Sequence, residues 1–307
     1  MDHIIEINGL TKDYGDGRGI FDTNLAIRPG EVFGLVGING SGKTTMIRHL
    51  MGFLHPDAGR CSIRGLDCWR QAAELKRGIG YIPGEVAFPD VKSRLDFFRL
   101  QAGYLGIRDF SRIHDLADRF ALDASAPLKR MSKGMKQKTA IVAAFMADAS
   151  IFILDEGTTG LDPLMQKVFT DLVREEKAKG RTMFMSSHMF DELEAVCDRV
   201  AFLKDGHVIE VADVSQFGGH EPVKEYKIEF TNLGDYQAFL SRSFAVAQRV
   251  ESLGQVTVQA TDQEIAALFT ALADLEVRFI KQVPHTLARH FIEKYQETEE
   301  MEGSLHV

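Results

Sequence analysis

The chain has 307 residues and a mass of 34.3 kDa, a length that predicts one large domain with room for a smaller second one. Hydrophobic residues make up 45% and charged residues 26%, so the composition excludes a disordered, collagen-like or coiled-coil protein. The formal net charge is −8, and residues 220–307 carry 8 Lys and Arg against 14 Asp and Glu. Because a surface that binds a phosphate backbone must be positive, general nucleic-acid binding is disfavoured.

Cysteine content and hydropathy indicate the cellular setting. The three cysteines, Cys61, Cys68 and Cys197, are odd in number and form no C-x-x-C pair. Neither a disulfide framework nor a zinc site is therefore predicted, and a reducing compartment fits best. The N-terminal segment lacks the pattern of a signal peptide, and no uncharged apolar run reaches the ~18 residues of a membrane helix. We expect any membrane role to come through a partner.

Strands and helices alternate along the first 215 residues, which we predict to be one domain. Strands are expected at residues 4–7, 20–27, 32–36, 151–154 and 182–186, a hairpin turn at Asp205-Gly206, and helices from Lys43 and over residues 164–179. Apolar residues at helical spacing between Asp90 and Leu128 predict a helical subdomain, at about residues 88–145. Such alternation predicts an α/β fold with a mostly parallel, mixed sheet.

A second, smaller domain is predicted after a segment rich in Gly, His and Pro between Gln216 and Pro222. Residues 220–296 show the order βαββαβ followed by a helix from Thr286, which predicts a small α+β domain of the ferredoxin-like split pattern. Residues 297–307 are expected to form an acidic, solvated tail.

A phosphate-binding loop is predicted at residues 37–44, which match the pattern G-x-x-x-x-G-K-[ST] between an apolar strand and a helix. Its glycines let backbone N–H groups surround phosphate oxygens, Lys43 reaches the β and γ phosphates, and the Thr44 hydroxyl can ligate Mg²⁺. A simple glycine turn is the alternative, which the flanking strand and helix disfavour. The candidate ATP-binding residues here are Gly37, Asn39, Gly40, Ser41, Gly42, Lys43, Thr44 and Thr45.

Two carboxylates, Asp155 and Glu156, directly follow a short and fully apolar predicted strand. Ligands of open α/β sheets bind at the carboxyl ends of strands, so both side chains are placed near the phosphate loop. We expect Asp155 to hold the Mg²⁺ shell and Glu156 to act as the general base that polarises the attacking water. Without the phosphate loop nearby, these two residues could equally well be ordinary acidic residues in a loop that follows a strand.

With these motifs, about the first 210 residues resemble an ATP-binding cassette ATPase, the motor subunit of a membrane transporter. Residues 131–137 resemble the signature of this family, usually Leu-Ser-Gly-Gly-Gln. Ser132 and Gly134 match it, whereas Lys133 and Met135 depart from it, in a form similar to variants in drug and antibiotic exporters. N–H donors at such a helix start can bind the γ-phosphate of a nucleotide held by another subunit. An ordinary Ser helix cap is the alternative.

The resemblance implies further site residues. Residues 159–163 resemble the loop that crosses the dimer interface, which adds Asp162 to the nucleotide-binding set, and His188 resembles the switch histidine that bonds the γ-phosphate. Tyr14 stands where the family places an aromatic ring against adenine. A structural histidine and an exposed loop tyrosine are the respective alternatives.

The chain departs from the family at Gly84, where a Gln normally touches Mg²⁺ and senses the membrane partner. Either Glu85 substitutes for it as a metal ligand or a water fills the gap. Gly157 also replaces the usual proline after the catalytic Glu.

One phosphate loop and one signature, with no internal repeat, predict that a complete site needs a second cassette. We expect a head-to-tail homodimer with two sandwiched Mg-ATP molecules, bound to a multi-span membrane permease and peripheral on the cytoplasmic face of the cell membrane. The leading hypothesis is an exporter of drugs, antibiotics or peptides, and an importer is the runner-up. Neither a cassette ATPase acting on ribosomes or DNA nor a regulatory module without turnover fits as well. The transported substance stays open among drug, antimicrobial peptide, lipid and sodium ion.

Overall fold

The computed structural model describes residues 2–128, 131–218 and 223–304, with side chains described up to residue 296. The chain divides into two compact units, Met1–Asp213 and Val214–Val307. The division lies close to the boundary expected near residue 215. Of the predicted boundary segment, residues 219–222 lie outside the described residues.

The first unit contains ten strands and seven helices among its described residues. They are β1 (Ile5–Asp13), β2 (Gly19–Ile27), β3 (Val32–Val36), α1 (Lys43–Leu50), β4 (Ala58–Ile63), β5 (Leu66–Asp67), α2 (Ala72–Lys76), β6 (Ile79–Ile82), α3 (Arg94–Leu105), α4 (Ser111–Arg119), α5 (Lys133–Phe145), β7 (Ile151–Asp155), α6 (Pro163–Ala178), β8 (Thr182–Ser187), α7 (Phe190–Val196), β9 (Arg199–Lys204) and β10 (His207–Asp213). All of the predicted strands and helices correspond to elements of this unit, whereas β4, β5, β6, α2 and α7 were not predicted.

The central sheet of the first unit has six strands in the order β10-β9-β3-β8-β7-β6. Neighbouring strands from β9 to β6 are parallel, and β10 pairs with β9 in the antiparallel sense. All residues of β3, β7 and β8 are buried, as expected for strands covered on both faces. The expected mixed α/β sheet is thus confirmed, and a second, antiparallel sheet has the order β2-β1-β4-β5.

The register of the central strands places the predicted motifs at one sheet edge. Val36, the last residue of β3, lies opposite Ser187 of β8, and Asp155 of β7 lies opposite Ser186. Since these strands are parallel, the loops that follow β3, β7 and β8 all leave from the same edge.

Helices α3, α4 and α5 lie between β6 and β7, within the helical insertion that the sequence predicts. Ser93 starts α3 with a capping box to Asp96, and Gly106 ends it with a φ of 72°. Phe98, Phe120 and Phe145 are fully buried in this region. Helix α5 carries the signature residues at its N-terminal end.

The second unit has the element order that the sequence predicts. It contains β11 (Val223–Phe230), α8 (Leu233–Leu240), β12 (Ala245–Val250), β13 (Gln255–Thr261), α9 (Ile265–Leu272), β14 (Val277–Val283) and α10 (Leu287–Ser304). The sheet order is β12-β13-β11-β14, with every neighbouring pair antiparallel. Apolar residues of the sheet, α8 and α9 form its core, including Ile228, Phe239 and Leu268.

The last helix extends into the segment that we expect to form an acidic, solvated tail. The backbone of α10 continues to Ser304, and residues 305–307 lie outside the described part. Glutamate has a high helix propensity, so the acidic run prolongs the helix instead of ending it. Among the described residues, no helix combines the length and the apolar character that crossing a bilayer requires.

Candidate functional site

The loop between β3 and α1 has a backbone that only glycine allows at three positions. Gly40 and Gly42 have φ angles of 87° and 108°, in the left-handed region. A Cβ atom at Gly37 would lie 2.4 Å from the carbonyl oxygen of Leu203 and 2.4 Å from the hydroxyl of Ser41. Gly40 and Gly42 are therefore explained by their left-handed φ angles, and Gly37 by the close approach of Leu203 and Ser41.

Lys43 lies at the start of α1 with its ammonium group folded into this loop. Its Nζ donates to the carbonyl oxygens of Gly37 at 2.7 Å and Ile38 at 3.1 Å. Burial lowers the pKa of Lys43, and the nearby carboxylates of Glu156 and Asp155 oppose that shift. A phosphate anion would add a counter-charge for this buried ammonium group.

Asp155, at the end of β7, is almost fully buried. Its Oδ1 accepts a hydrogen bond from the Ser186 hydroxyl at 2.6 Å, and the Thr44 hydroxyl lies close enough to this carboxyl group to affect its pKa. Burial raises the pKa of Asp155, although both hydroxyl groups act in the opposite direction. Its Oδ2 is buried with no hydrogen-bond partner. A carboxylate oxygen without a partner beside a threonine hydroxyl is a donor set that suits Mg²⁺.

Glu156 is held in a strained backbone conformation, with a φ of 51°. Its N–H donates to the Ser186 carbonyl oxygen and hydroxyl, each at 3.1 Å, and its Oε2 accepts from the Thr159 hydroxyl at 3.1 Å. The half-exposed ring of His188 lies with Nδ1 3.7 Å from the same Oε2. The two residues that we predicted to be catalytic are thus adjacent.

Lys43, Thr44 and Glu156 line a cleft of 390 Å³, whereas Asp155 and His188 are not among its described lining residues. Its lining residues are Tyr14, Arg18, Gly19, Asn39, Gly40, Gly42, Lys43, Thr44, Thr45 and Glu156. The structure therefore brings Glu156 and the half-exposed ring of Tyr14 together with most of the predicted loop residues. Arg18 and Gly19 were missed because they lie directly before and at the start of β2, where no motif marks them.

Several predicted residues do not line this cleft. Ser41 is buried under the loop and its hydroxyl has no partner, so its side chain does not face the cleft. Ser132 caps α5 by accepting from the N–H of Met135 at 3.2 Å, and Asp162 caps α6 by accepting from the N–H of Met165 at 3.0 Å. The described lining residues thus include neither the signature nor Asp162.

Gly134 of the signature has a structural reason to be glycine. A Cβ atom there would lie 2.6 Å from the carbonyl oxygen of Gly160, whose own φ is 82°. The start of α5 therefore contacts the loop after Glu156 directly, backbone against backbone.

The segment after β6 differs from our expectation for Glu85. Its side chain is exposed and is absent from the described lining of the cleft, so the structure does not bring it to the predicted metal site. Gly84, by contrast, lies beside Asp155, and a Cβ atom at Gly84 would be 2.8 Å from Oδ2. The absence of a side chain at residue 84 leaves room beside this oxygen.

Two buried side chains that we did not predict support the loop after β7. Gln137 of α5 donates from Nε2 to the carbonyl oxygens of Gly157 at 2.7 Å and Glu156 at 3.3 Å. Glu192 of α7 accepts from the hydroxyl groups of Thr158 and Ser187. Gln137 ends the signature segment, but the signature gives it no role at this loop, and Glu192 belongs to no motif; only the packing of α5 and α7 brings the two side chains there.

The fold and the cleft define a nucleotide-binding ATPase of the phosphate-loop class. A family model described as ABC transporter matches residues 20–159. The chain is 36% identical over 198 residues to the ABC transporter ATP-binding protein NatA of Bacillus subtilis (strain 168), across 62% of this chain and 80% of that protein. The chain therefore belongs to the ABC transporter family, as an ATP-binding subunit with ATPase activity.

Other relatives carry more specific names. The bacitracin transport ATP-binding protein BcrA of Bacillus licheniformis is 32% identical over 213 residues, 68% of this chain and 70% of that protein. The Nod factor export ATP-binding protein I of Ralstonia nicotianae is 28% identical over 264 residues, 82% and 79% of the two chains. A solved structure of the ATP binding subunit of an ABC transporter superposes with a TM-score of 0.65 at 30% identity, over 69% of this chain and 91% of that one.

Proposed function

We propose that this chain is the motor subunit of a membrane exporter, in which a head-to-tail dimer binds and hydrolyses Mg-ATP. The observation that carries the proposal is the convergence of Lys43, Thr44 and Glu156 in one cleft, with the buried Asp155 directly before Glu156 in the chain. Export is favoured over import by the signature variant and by the similarity to proteins named for Nod factor export and bacitracin transport. The same similarity favours a drug, an antibiotic or a peptide as the exported substrate.

The residues of the cleft have separate roles in this proposal. The N–H groups of the loop and the Lys43 ammonium bind the β and γ phosphates, and the Tyr14 ring stacks on the adenine. Thr44 and Asp155 hold Mg²⁺, which neutralises phosphate charge when it is bound. Glu156 orients the attacking water and accepts its proton, and His188 donates a hydrogen bond to the γ-phosphate.

The proposed dimer completes a site that one chain leaves open. Ser132 is exposed at the start of α5, and the signature is outside the described lining of the cleft. A second copy related by a two-fold axis would place its own α5 start over this cleft, and the reverse contact would form at the same time. The γ-phosphate would then be bound from both sides, and its loss on hydrolysis would favour opening.

An apolar groove supports the proposed contact with a permease. This groove has a volume of 510 Å³, and its lining includes Phe53, Tyr81, Phe88, Phe97, Leu105 and Ala143. Phe53 is 48% exposed and Tyr104, in the neighbouring α3, is 77% exposed. An apolar groove with an exposed aromatic side chain at its border is typical of interaction sites. The segment with Pro83 both lines the groove and leads to Gly84 beside Asp155, which connects the groove with the proposed metal site. A permease bound here would hold the subunit at the cytoplasmic face of the membrane.

The test of the ATPase mechanism compares Glu156→Gln with Lys43→Ala. Glu156→Gln should bind ATP normally and lose about 10²–10⁴-fold in kcat, because a general base contributes that much. It should also form dimers with ATP and Mg²⁺ in sedimentation. Lys43→Ala should weaken ATP binding by roughly 10- to 100-fold, the effect of one charge-assisted hydrogen bond. A Glu156→Gln chain with the wild-type ATPase rate would exclude the proposed base, and a monomer at saturating ATP would contradict the dimer.

The test of the permease contact is affinity capture of the tagged Glu156→Gln chain from native membranes with ATP and Mg²⁺. Mass spectrometry should find a multi-span membrane protein, and adding Phe53→Arg should remove it. Adding Leu233→Arg, at an exposed apolar residue of the second unit, is the matched control and should retain the partner. Recovery of ribosomes or soluble proteins only would refute the transporter assignment of this chain. If a multi-span membrane protein is recovered, proteoliposomes that contain it together with this chain would give the direction of transport.

A further inference from the structure

Glu192 is a buried carboxylate that the proposed hydrolysis does not use. It lies in the first turn of α7, is 7% exposed, and has one oxygen, Oε1, that is buried without a hydrogen-bond partner. Burial raises its pKa, against the effect of two neighbouring hydroxyl groups. An acidic residue in the first turn stabilises a helix by interacting with the positive end of the helix dipole, but the exposed Asp191 already provides that negative charge. Dipole stabilisation therefore does not explain why a carboxylate is buried here.

The hydrogen bonds of Glu192 join two different loops. Its Oε2 accepts from the Thr158 hydroxyl at 2.9 Å and from the Ser187 hydroxyl at 2.6 Å. Ser187 in turn accepts from the N–H of Met189 at 3.0 Å, which fixes the backbone on the far side of His188. One oxygen atom thus connects the loop after β7 with the last residue of β8, where the loop that carries His188 begins.

Each of these loops carries one of the proposed catalytic side chains. Thr158 follows Glu156 by two residues, and Ser187 directly precedes His188. The side chains of Glu156 and His188 approach to 3.7 Å, and Thr159 donates to Glu156 at 3.1 Å. The distance between base and histidine is therefore set by a pair of loops that meet at Glu192.

We propose that Glu192 is a positioning residue for ATP hydrolysis, which holds the Glu156 and His188 loops in the geometry that the reaction needs. The inference rests on the proposed roles of those two residues. Its hydrogen bonds go to Thr158 and Ser187 and not to the phosphate loop, so we expect Glu192 to act on the rate of the step and not on ATP binding.

The experiment measures kcat, the KM for ATP and the unfolding temperature of the full-length chain with three substitutions. Glu192→Leu keeps the shape but removes both hydrogen bonds, and kcat should fall about 100-fold, as expected for a small displacement of catalytic groups. Its KM for ATP should not change. Glu192→Gln keeps an acceptor oxygen and should restore most of kcat. Asp191→Asn, the exposed neighbour on the same helix, should behave like wild type.

A second set of variants covers the case in which Glu192→Leu does not fold. Thr158→Val and Ser187→Ala each remove one donor and leave the carboxylate in place. Because both hydroxyl groups bind the same oxygen, their effects on kcat should not be additive in a double-mutant cycle.

The outcomes separate this inference from the proposed function. Wild-type kcat in Glu192→Leu, or additive effects in the cycle, would overturn the positioning role. Loss of ATP binding together with kcat, with no rescue by Glu192→Gln, would also overturn it, since that result describes a structural residue. Activity in Glu156→Gln would instead refute the proposed base, whatever Glu192 does.

Discussion

Replacing Gln137 with Leu should destabilise the loop after β7, which carries Glu156, and leave ATP binding unchanged. The amide of Gln137 is buried in α5 and donates to the carbonyl oxygens of Gly157 at 2.7 Å and Glu156 at 3.3 Å. Leucine has a similar size but no donor, so both buried acceptors lose this partner. The longer of the two bonds is weak, and we expect a total cost of about 1–3 kcal/mol.

The backbone strain at Glu156 adds a functional consequence. Its φ of 51° costs a non-glycine residue roughly 1–2 kcal/mol, which the hydrogen bonds around it offset. Without Gln137 the loop can relax toward ordinary angles, and kcat should fall about 100-fold while ATP affinity is retained.

The assay combines thermal unfolding with steady-state ATPase measurements. For a unit of this size, each kcal/mol lowers Tm by about 2–4 °C, so Gln137→Leu should unfold roughly 2–12 °C earlier than wild type. Lys136→Leu, at the exposed adjacent position, is the control and should stay within about 0.5 kcal/mol of wild type. Unchanged Tm and kcat in Gln137→Leu would show that this contact does not support the loop.

Two further predictions concern close approaches and burial. Gly134→Ala should destabilise the fold by about 1–3 kcal/mol, because its Cβ would meet the carbonyl oxygen of Gly160 at 2.6 Å. Gly103→Ala, inside α3 with open space around the new Cβ, should instead stabilise it by about 0.5–1 kcal/mol, and urea unfolding of both variants compares the signs. Burial raises the pKa of Asp155, so its folded state holds the proton more tightly than the unfolded chain, where Asp titrates near about 3.9. The free energy of unfolding therefore falls as the pH rises from the unfolded-state pKa through the raised folded-state pKa. Asp155→Asn removes this loss, so it should stabilise the chain more at pH ~7 than at pH ~4. ATP hydrolysis should be lost in the same variant. Equal gains at both pH values in urea unfolding would contradict this account.

The phosphate loop was predictable because its function resides in a continuous stretch of backbone. Residues 37–44 contain the left-handed angles, the cationic side chain and the hydroxyl group in sequence order. Asp155 was predictable for a similar reason, since it ends a strand whose residues are all apolar. Parallel pairing then brings the two segments to one sheet edge, as the alternation of strands and helices implies.

The side chains of two predicted site residues are oriented by surroundings that the motif does not specify. Glu85 has the right chemistry for a metal ligand, but its side chain points to solvent while Gly84 contacts Asp155. Ser41 is part of the loop motif, yet it packs beneath Gly37 instead of facing the cleft. A motif specifies residue types at fixed spacing, whereas the direction of each side chain depends on the neighbours that pack against it.

The sequence by itself determined the class of the sheet, the phosphate loop and the pair of carboxylates, because each depends on neighbouring residues and a regular hydrophobic pattern. Only the tertiary structure decided which side chains hold the loop after β7. Gln137 reaches Gly157 across 20 residues and Thr158 reaches Glu192 across 34. Such contacts form when α5 and α7 pack against the sheet edge, and no spacing within a single segment encodes them.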